Sequence, residues 1–90
     1  IAAENAGFGV RANVIIPGLI DTPMAIERRV RETGRSHDDI RAERDAMVPA
    51  GRMGNAWDVA HAAVFLASDE ASYVTGVLLP VDGGLLLKRG

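Results

Sequence analysis

Pro17-Gly18-Leu19-Ile20-Asp21-Thr22 is the run whose residue types and spacing best suit a binding task. It leaves the Val/Ile-rich stretch Val10 to Ile16 at its carboxyl end, where ligands lie in open α/β sheets. Gly18 lets the backbone approach a flat group closely. Ile20 offers a backbone donor and acceptor, and Thr22 a hydroxyl for an amide or a phosphate oxygen. The same run also fits a plain strand-to-loop turn, with Thr22 as the N-cap ahead of Pro23, a favoured first helical residue. On spacing alone the plain turn is favoured, because short motifs match by chance. A cap can also share its oxygen, so the two readings are compatible.

Other residues with chemical potential read as structural. His37 lies in a charged stretch that begins a helix. His61 has Asp58 three residues before it and Phe65 four after, with no nucleophile or second ligand at a useful spacing. Asp38 and Asp39 are acidic residues of a helix start, not a catalytic carboxylate pair. Arg11 and Arg52 suit carbonyl binding or ion pairing. Asn13 is placed to tie backbone groups together at a sheet edge. Asp82-Gly83-Gly84 follows a strand with no helix after it, so it reads as a turn with Asp82 fixing the chain end rather than as a phosphate loop.

The elements that position these residues follow from pattern. Ile1 to Gly7 reads as the last turns of a helix closed by glycine, so the chain is expected to begin inside a longer polypeptide. Val10 to Ile16 is a short apolar run bounded by turn signals, which predicts a strand buried on both faces. Glu27 to Asp45 carries 12 of the 22 charged residues, six of each sign. Its apolar residues are few, Gly34 divides it, and Ser36-His37-Asp38-Asp39 has capping-box form. Two solvated, mobile helices are expected there. Asn55 caps a further helix, with Asp58 at its third position. Val59, Ala62, Ala63 and Leu66 recur at helical spacing, and Ala60, Val64 and Ala67 widen the face until most of the circumference is apolar. Val77 to Val81 is a second buried strand, in which Pro80 belongs at an edge or at an unpaired position.

Composition narrows the function classes. Net charge is −2 over 90 residues, without a basic stripe, so nothing points to nucleic acid. No apolar run approaches the ~20 residues that span a bilayer, and the start lacks the basic region of a signal peptide. There is no cysteine, which excludes disulfides and thiolate metal sites and is compatible with a cytoplasmic setting. The order helix end, strand, charged helices, helix, strand is an α/β pattern.

These segments, taken in order, resemble the carboxyl-terminal part of the short-chain dehydrogenases/reductases. Gly9 to Met24 resembles the segment after that family's catalytic helix. Pro49-Ala50-Gly51-Arg52-Met53-Gly54, Asp58-Val59-Ala60 and Phe65-Leu66-Ala67-Ser68 resemble its penultimate connection and last helix, and Tyr73-Val74-Thr75-Gly76 with Val81-Asp82-Gly83-Gly84 its final strand. The likeness covers essentially the whole chain. It implies that residues 1–90 are the carboxyl-terminal portion of a Rossmann-type, doubly wound parallel sheet of seven strands, holding the last two. Residues 1–7 would end the catalytic helix, 24–47 would form a substrate lid, and 55–87 the last helix and strand.

The resemblance also implies NAD(P)-dependent hydride transfer between an alcohol and a ketone. Pro17, Gly18, Ile20 and Thr22 would contact the nicotinamide of NAD or NADP, the Ile20 backbone pairing with its carboxamide. Met24, Ile26 and Val30 of the lid would close over a small carbonyl or alcohol substrate. The family's Gly-rich phosphate turn, cofactor-selecting residue, catalytic serine and Tyr-x-x-x-Lys pair would lie before Ile1, and Tyr73 has Val77 four residues on instead of lysine. No residue of the chain is therefore assigned a catalytic role, and the 90 residues alone are expected to be inactive. The family forms dimers and tetramers through its last helix and strand, which implies a homodimer or homotetramer here. An alternative from another class is a non-catalytic oligomerisation module built on those elements; a third is a fragment with no function of its own.

Overall fold

The computed structural model describes residues 1–87. A short helix α1 (Ala2–Asn5) runs on through a 3-10 turn at Ala6–Phe8. Strand β1 (Val14–Pro17) leads to a helical hairpin, α2 (Pro23–Thr33) and α3 (His37–Met47). Helix α4 (Ala56–Ala67) and strand β2 (Leu78–Val81) complete the fold, with 3-10 turns at Asp69–Ala71 and Leu85–Leu87. The strands pair in parallel, Val14 opposite Leu78 and Pro17 opposite Val81. Both carboxyl ends therefore reach the same edge of the sheet.

Caps explain most boundaries. Thr22, Ser36 and Asn55 each accept a backbone N–H of the helix they open, and Pro23 takes the first position of α2, where a missing N–H costs nothing. Gly34 ends α2 in the left-handed region, with φ of 70°. Asn55 and Asp58 form a reciprocal capping box.

Three expectations are corrected. The glycine stop after α1 falls at Gly9, which adopts φ of 77°, and not at Gly7. β1 begins at Val14 instead of Val10, because the residues before it are held by side chains and loops: the Ala12 N–H donates to Thr75 Oγ1, and Asn13 binds Val74 and Val77. Burial also lies elsewhere than the pattern suggests. Val14 and Leu78 are exposed, and on α4 Trp57, Val64 and Phe65 are exposed while only Leu66 is buried. With two strands and one helix, the sheet layer has too little protein to cover its apolar faces. The charged hairpin instead carries the best-buried cluster: Ile26, Ile40 and Met53, with Leu19 and Val30 packed against it. The chain is correspondingly elongated, 53 × 27 × 21 Å.

Pro80 sits where a missing donor is harmless. Val77 and Val81 turn their carbonyls toward β1, accepting from Val14 and Gly18, so the alternate residue Pro80 faces away from the ladder.

Candidate functional site

The turn that leaves β1 is held from three sides. At its start the Gly18 N–H donates to the Val81 carbonyl at 3.1 Å. A Cβ on Gly18 would stand 2.5 Å from Cβ of Asp82, so this glycine is where the two strand ends meet. Further on, the Gly54 N–H donates to Leu19 at 3.0 Å, and the Asp21 N–H donates to Gly54 at 2.8 Å. This is a one-residue parallel bridge between Ile20 and Gly54. In that pattern the bridge uses the groups on either side of Ile20. Ile20's own N–H and C=O point the other way, and among the described residues they make no hydrogen bond. Thr22 then opens α2, its hydroxyl oxygen accepting from Ala25 N–H at 3.3 Å while its own proton stays free to donate.

Asp82 closes the neighbouring strand end. Its two carboxylate oxygens accept from the backbone of Gly84 and Leu86, each at 3.0 Å, which is the chain-end turn expected from sequence. Arg11 and Asn13 also behave as read. Arg11 donates to the carbonyls of Leu66, Ser68 and Val74, collecting the end of α4, and Asn13 accepts from Val77 N–H at 2.9 Å.

The three residues expected to form a lid divide. Met24 is 82% exposed beside the turn, whereas Ile26 is fully buried in the hairpin core and Val30 packs against it. The structure therefore brings Pro17, Gly18, Ile20, Thr22 and Met24 to one edge and turns Ile26 and Val30 inward.

Several charged side chains pair with one another. Arg52 hydrogen-bonds Asp58 at 3.0 Å, and that bond, with the Asn55 N–H, holds the Asp58 carboxyl below its usual range. The same bond raises Arg52. His37 binds Glu27 across the hairpin and lowers its pKa. The His61 ring lies beside Trp57, tilted by 37° with the ring centroids 6.2 Å apart. Among the described residues no cluster of His, Asp or Glu fits a metal ion, and no helix is long and apolar enough to cross a membrane.

Two residues at the site escaped the sequence reading. Gly54 was read only as part of a connection, yet it braces Ile20; the signal was the glycine pair at 51 and 54 bracketing Arg52-Met53. Asp21 lay inside the run but had no assigned role. Its partner, Arg41, is 20 residues away, and no local pattern announces such a pair.

A paired N–H and C=O left open beside a close-approach turn fit a primary carboxamide, which has one acceptor and two donors. A family model described as enoyl-(acyl carrier protein) reductase matches residues 1–86. The chain belongs to the short-chain dehydrogenase/reductase family. It is 47% identical over 87 residues to 3-oxoacyl-(acyl-carrier-protein) reductase of Salmonella typhimurium, covering 97% of this chain and 32% of the relative. It is 42% identical over 83 residues to 2,5-dichloro-2,5-cyclohexadiene-1,4-diol dehydrogenase of Sphingobium indicum, covering 92% of this chain and 30% of the relative. Among solved structures, the ligand-free aldohexose dehydrogenase of Thermoplasma acidophilum superposes with TM-score 0.88 at 36% identity, over 98% of this chain and 35% of that one. The chain thus spans about a third of the length of its relatives. Its α/β architecture is that of the corresponding third of Rossmann-type enzymes.

Proposed function

We propose that this chain supplies the nicotinamide side of an NAD(P)-dependent oxidoreductase that interconverts a small alcohol and its ketone. The single observation that carries the reading is the open N–H and C=O of Ile20, held outward by the bridge to Gly54 at the carboxyl edge of a parallel sheet. Ile20 would take the coenzyme's carboxamide through these two groups. Thr22 would donate its free proton to the same amide or to a phosphate oxygen. Pro17 and Gly18 would form the floor of the turn. Residues 24–47 would serve as the substrate lid, with Met24 its exposed apolar contact and Ile26 and Val30 its internal support. When bound, the coenzyme gives or receives hydride at its nicotinamide C4. Fixing the carboxamide fixes the ring's face, which is this chain's contribution to that step.

The same reading assigns residues 1–7 to the end of the helix that precedes the site, residues 55–87 to the last helix and strand, and all of residues 1–90 to one coenzyme-binding domain. It places the proton-transfer groups in the part of the relatives this chain does not span, so the 90-residue chain alone is inactive. Trp57, Val64 and Phe65 of α4 and Leu78 of β2 are apolar and exposed; the reading covers one face with the rest of the subunit and another with a second copy, as a homodimer or homotetramer through these elements. A cytoplasmic setting fits the cysteine-free sequence.

The test is a fluorescence titration of the full-length protein that carries this chain, with NADH and with NADPH. Saturable binding of at least one, weakened by Thr22→Val, is expected. Binding of neither would overturn the reading. Light scattering reads the assembly: a discrete dimer or tetramer is expected, and a monomer would remove the interface from the proposal.

A further inference from the structure

Asp21 stands between the two residues expected to touch the coenzyme, and its carboxylate is gripped by the lid. Arg41 Nε of α3 lies 3.3 Å from both Asp21 oxygens. Among the described residues this is the one ion pair that joins the hairpin to the turn; the pairs Arg28–Glu32, Arg29–Glu32, Arg35–Glu43 and His37–Glu27 all stay within the hairpin. Two other carboxylates lie near Arg41: Glu27 is bonded to His37 and Asp45 accepts the Met53 N–H, while Arg41 Nε bonds Asp21.

Arg41 belongs to a stripe. Residues 41, 44 and 45 share one face of α3 at the three- and four-residue spacing of helical neighbours. Arg44 Nε reaches Met53 Sδ at 3.2 Å, and Asp45 Oδ1 accepts the Met53 N–H at 2.8 Å. Met53 is buried against Ile26 and Ile40, and the next residue, Gly54, makes the bridge to Ile20. One face of α3 therefore holds the turn twice: directly through Asp21, and indirectly through Met53 and Gly54. A displacement of α3 would move the peptide groups that flank Ile20.

We propose that the Arg41–Asp21 pair is a latch coupling the seated position of lid helix α3 to the orientation of the Ile20 backbone, so that Arg41 is a positioning residue for the nicotinamide. This rests on the coenzyme reading given above. The pair is partly exposed, 40% and 38% for the two side chains, so its effect is that of a surface ion pair whose leverage lies in its location.

The experiment uses the full-length protein that carries this chain, with coenzyme affinity read by NADH or NADPH fluorescence and kinetics read separately. Arg41→Gln and Asp21→Asn should each weaken coenzyme binding about two- to fivefold, the range of such a pair. The coenzyme KM should rise, and kcat should fall with it where hydride transfer limits the rate, because the ring's orientation is loosened. The double variant should bind no worse than either single, and Arg41→Lys should restore part of the loss. A merely structural pair would lower the melting temperature without this coupling in affinity. Unchanged affinity in a folded Arg41→Gln, or additive losses in the double variant, would overturn the latch. Should Arg41→Gln fail to fold, Asp21→Asn and Arg41→Lys carry the same comparison. If the unsubstituted protein binds neither coenzyme, the coenzyme reading fails and the latch falls with it; normal binding without coupling removes the latch alone.

Discussion

Gly18 and Asp82 meet at the carboxyl ends of the two parallel strands so closely that a single methyl on Gly18 would lie 2.5 Å from the Asp82 Cβ and 2.9 Å from its Cα. The backbone of Gly18 is not in the left-handed region. The glycine is required for space, and its neighbours are the Cβ and Cα of Asp82, which no side-chain rotation can move. Gly18→Ala should therefore separate the strand ends and cost about 1–3 kcal/mol, as overpacking does. Denaturant unfolding of the protein carrying this chain checks it. A loss below about 0.5 kcal/mol, the usual range of surface changes, would show that the strand ends part freely.

Asn13 joins the same two strands through a side chain. It accepts from Val77 N–H at 2.9 Å and donates to the Val74 carbonyl at 3.1 Å. Asn13→Ala would leave the Val77 N–H, just before β2, without its acceptor. A loss of about 1–3 kcal/mol is expected, because orphaning a part-buried donor costs its desolvation. Amide hydrogen exchange offers a local reading: protection should fall at Val77 and along β2 more than in the hairpin. Unchanged exchange at Val77 would count against this role.

Periodicity and punctuation made much of this fold legible. Pro17-Gly18 marks the end of β1, Gly34 the end of α2, and Asn55 with Asp58 the start of α4, because capping and turn chemistry are local. Arg11, Asn13 and Asp82 were also readable, since each is a polar side chain beside backbone that needs partners. The distribution of burial was not. The alanine-rich face of α4 promised a buried helix, yet the best-covered side chains are Ile26 and Ile40 in the most charged segment. Periodicity reports which face is apolar, not which protein covers it, and a two-stranded sheet leaves that face bare. The Ile20–Gly54 bridge and the Arg41–Asp21 pair were invisible for a related reason: each joins residues more than a dozen positions apart, and tertiary packing alone decides such contacts.

Acid should release the start of α4. Asp58 accepts from Arg52 and from the Asn55 N–H, and its pKa lies below its ordinary 3.8. A carboxylate with a depressed folded pKa contributes stability that is fully present above the unfolded value and disappears as pH falls through the folded one. The contribution is therefore intact at neutral pH and is lost below about pH 3.8. Asp58→Asn should flatten that part of the profile while lowering stability at pH 7. Thermal melts of both proteins across pH 2 to 7, a range set by ordinary carboxylate titration, test this; parallel profiles would show that the Asp58 pair is not what acid breaks. Asn55→Ala offers a pH-independent comparison at about 0.5–2 kcal/mol for the loss of a cap.

Met24 and Ile26 are two residues apart on α2 and should behave oppositely when truncated. Ile26 has no exposed surface and packs with Ile40 and Met53, so Ile26→Ala removes buried methyl groups and leaves a cavity. The expected cost is about 2–5 kcal/mol. It should appear first as faster proteolysis within residues 24–47, because the hairpin's core is small and opens locally before the rest. Met24 is 82% exposed, so Met24→Ala should leave the melting temperature within the small range of surface substitutions. If Met24 is the lid's contact with substrate, its truncation raises the KM for the carbonyl compound while coenzyme affinity holds steady. The pair of variants thus separates support from contact within one turn of helix. A Met24→Ala protein with unaltered substrate KM would place the contact elsewhere on the hairpin, and an Ile26→Ala protein with wild-type proteolysis would show that the hairpin is held by its ion pairs and not by its core.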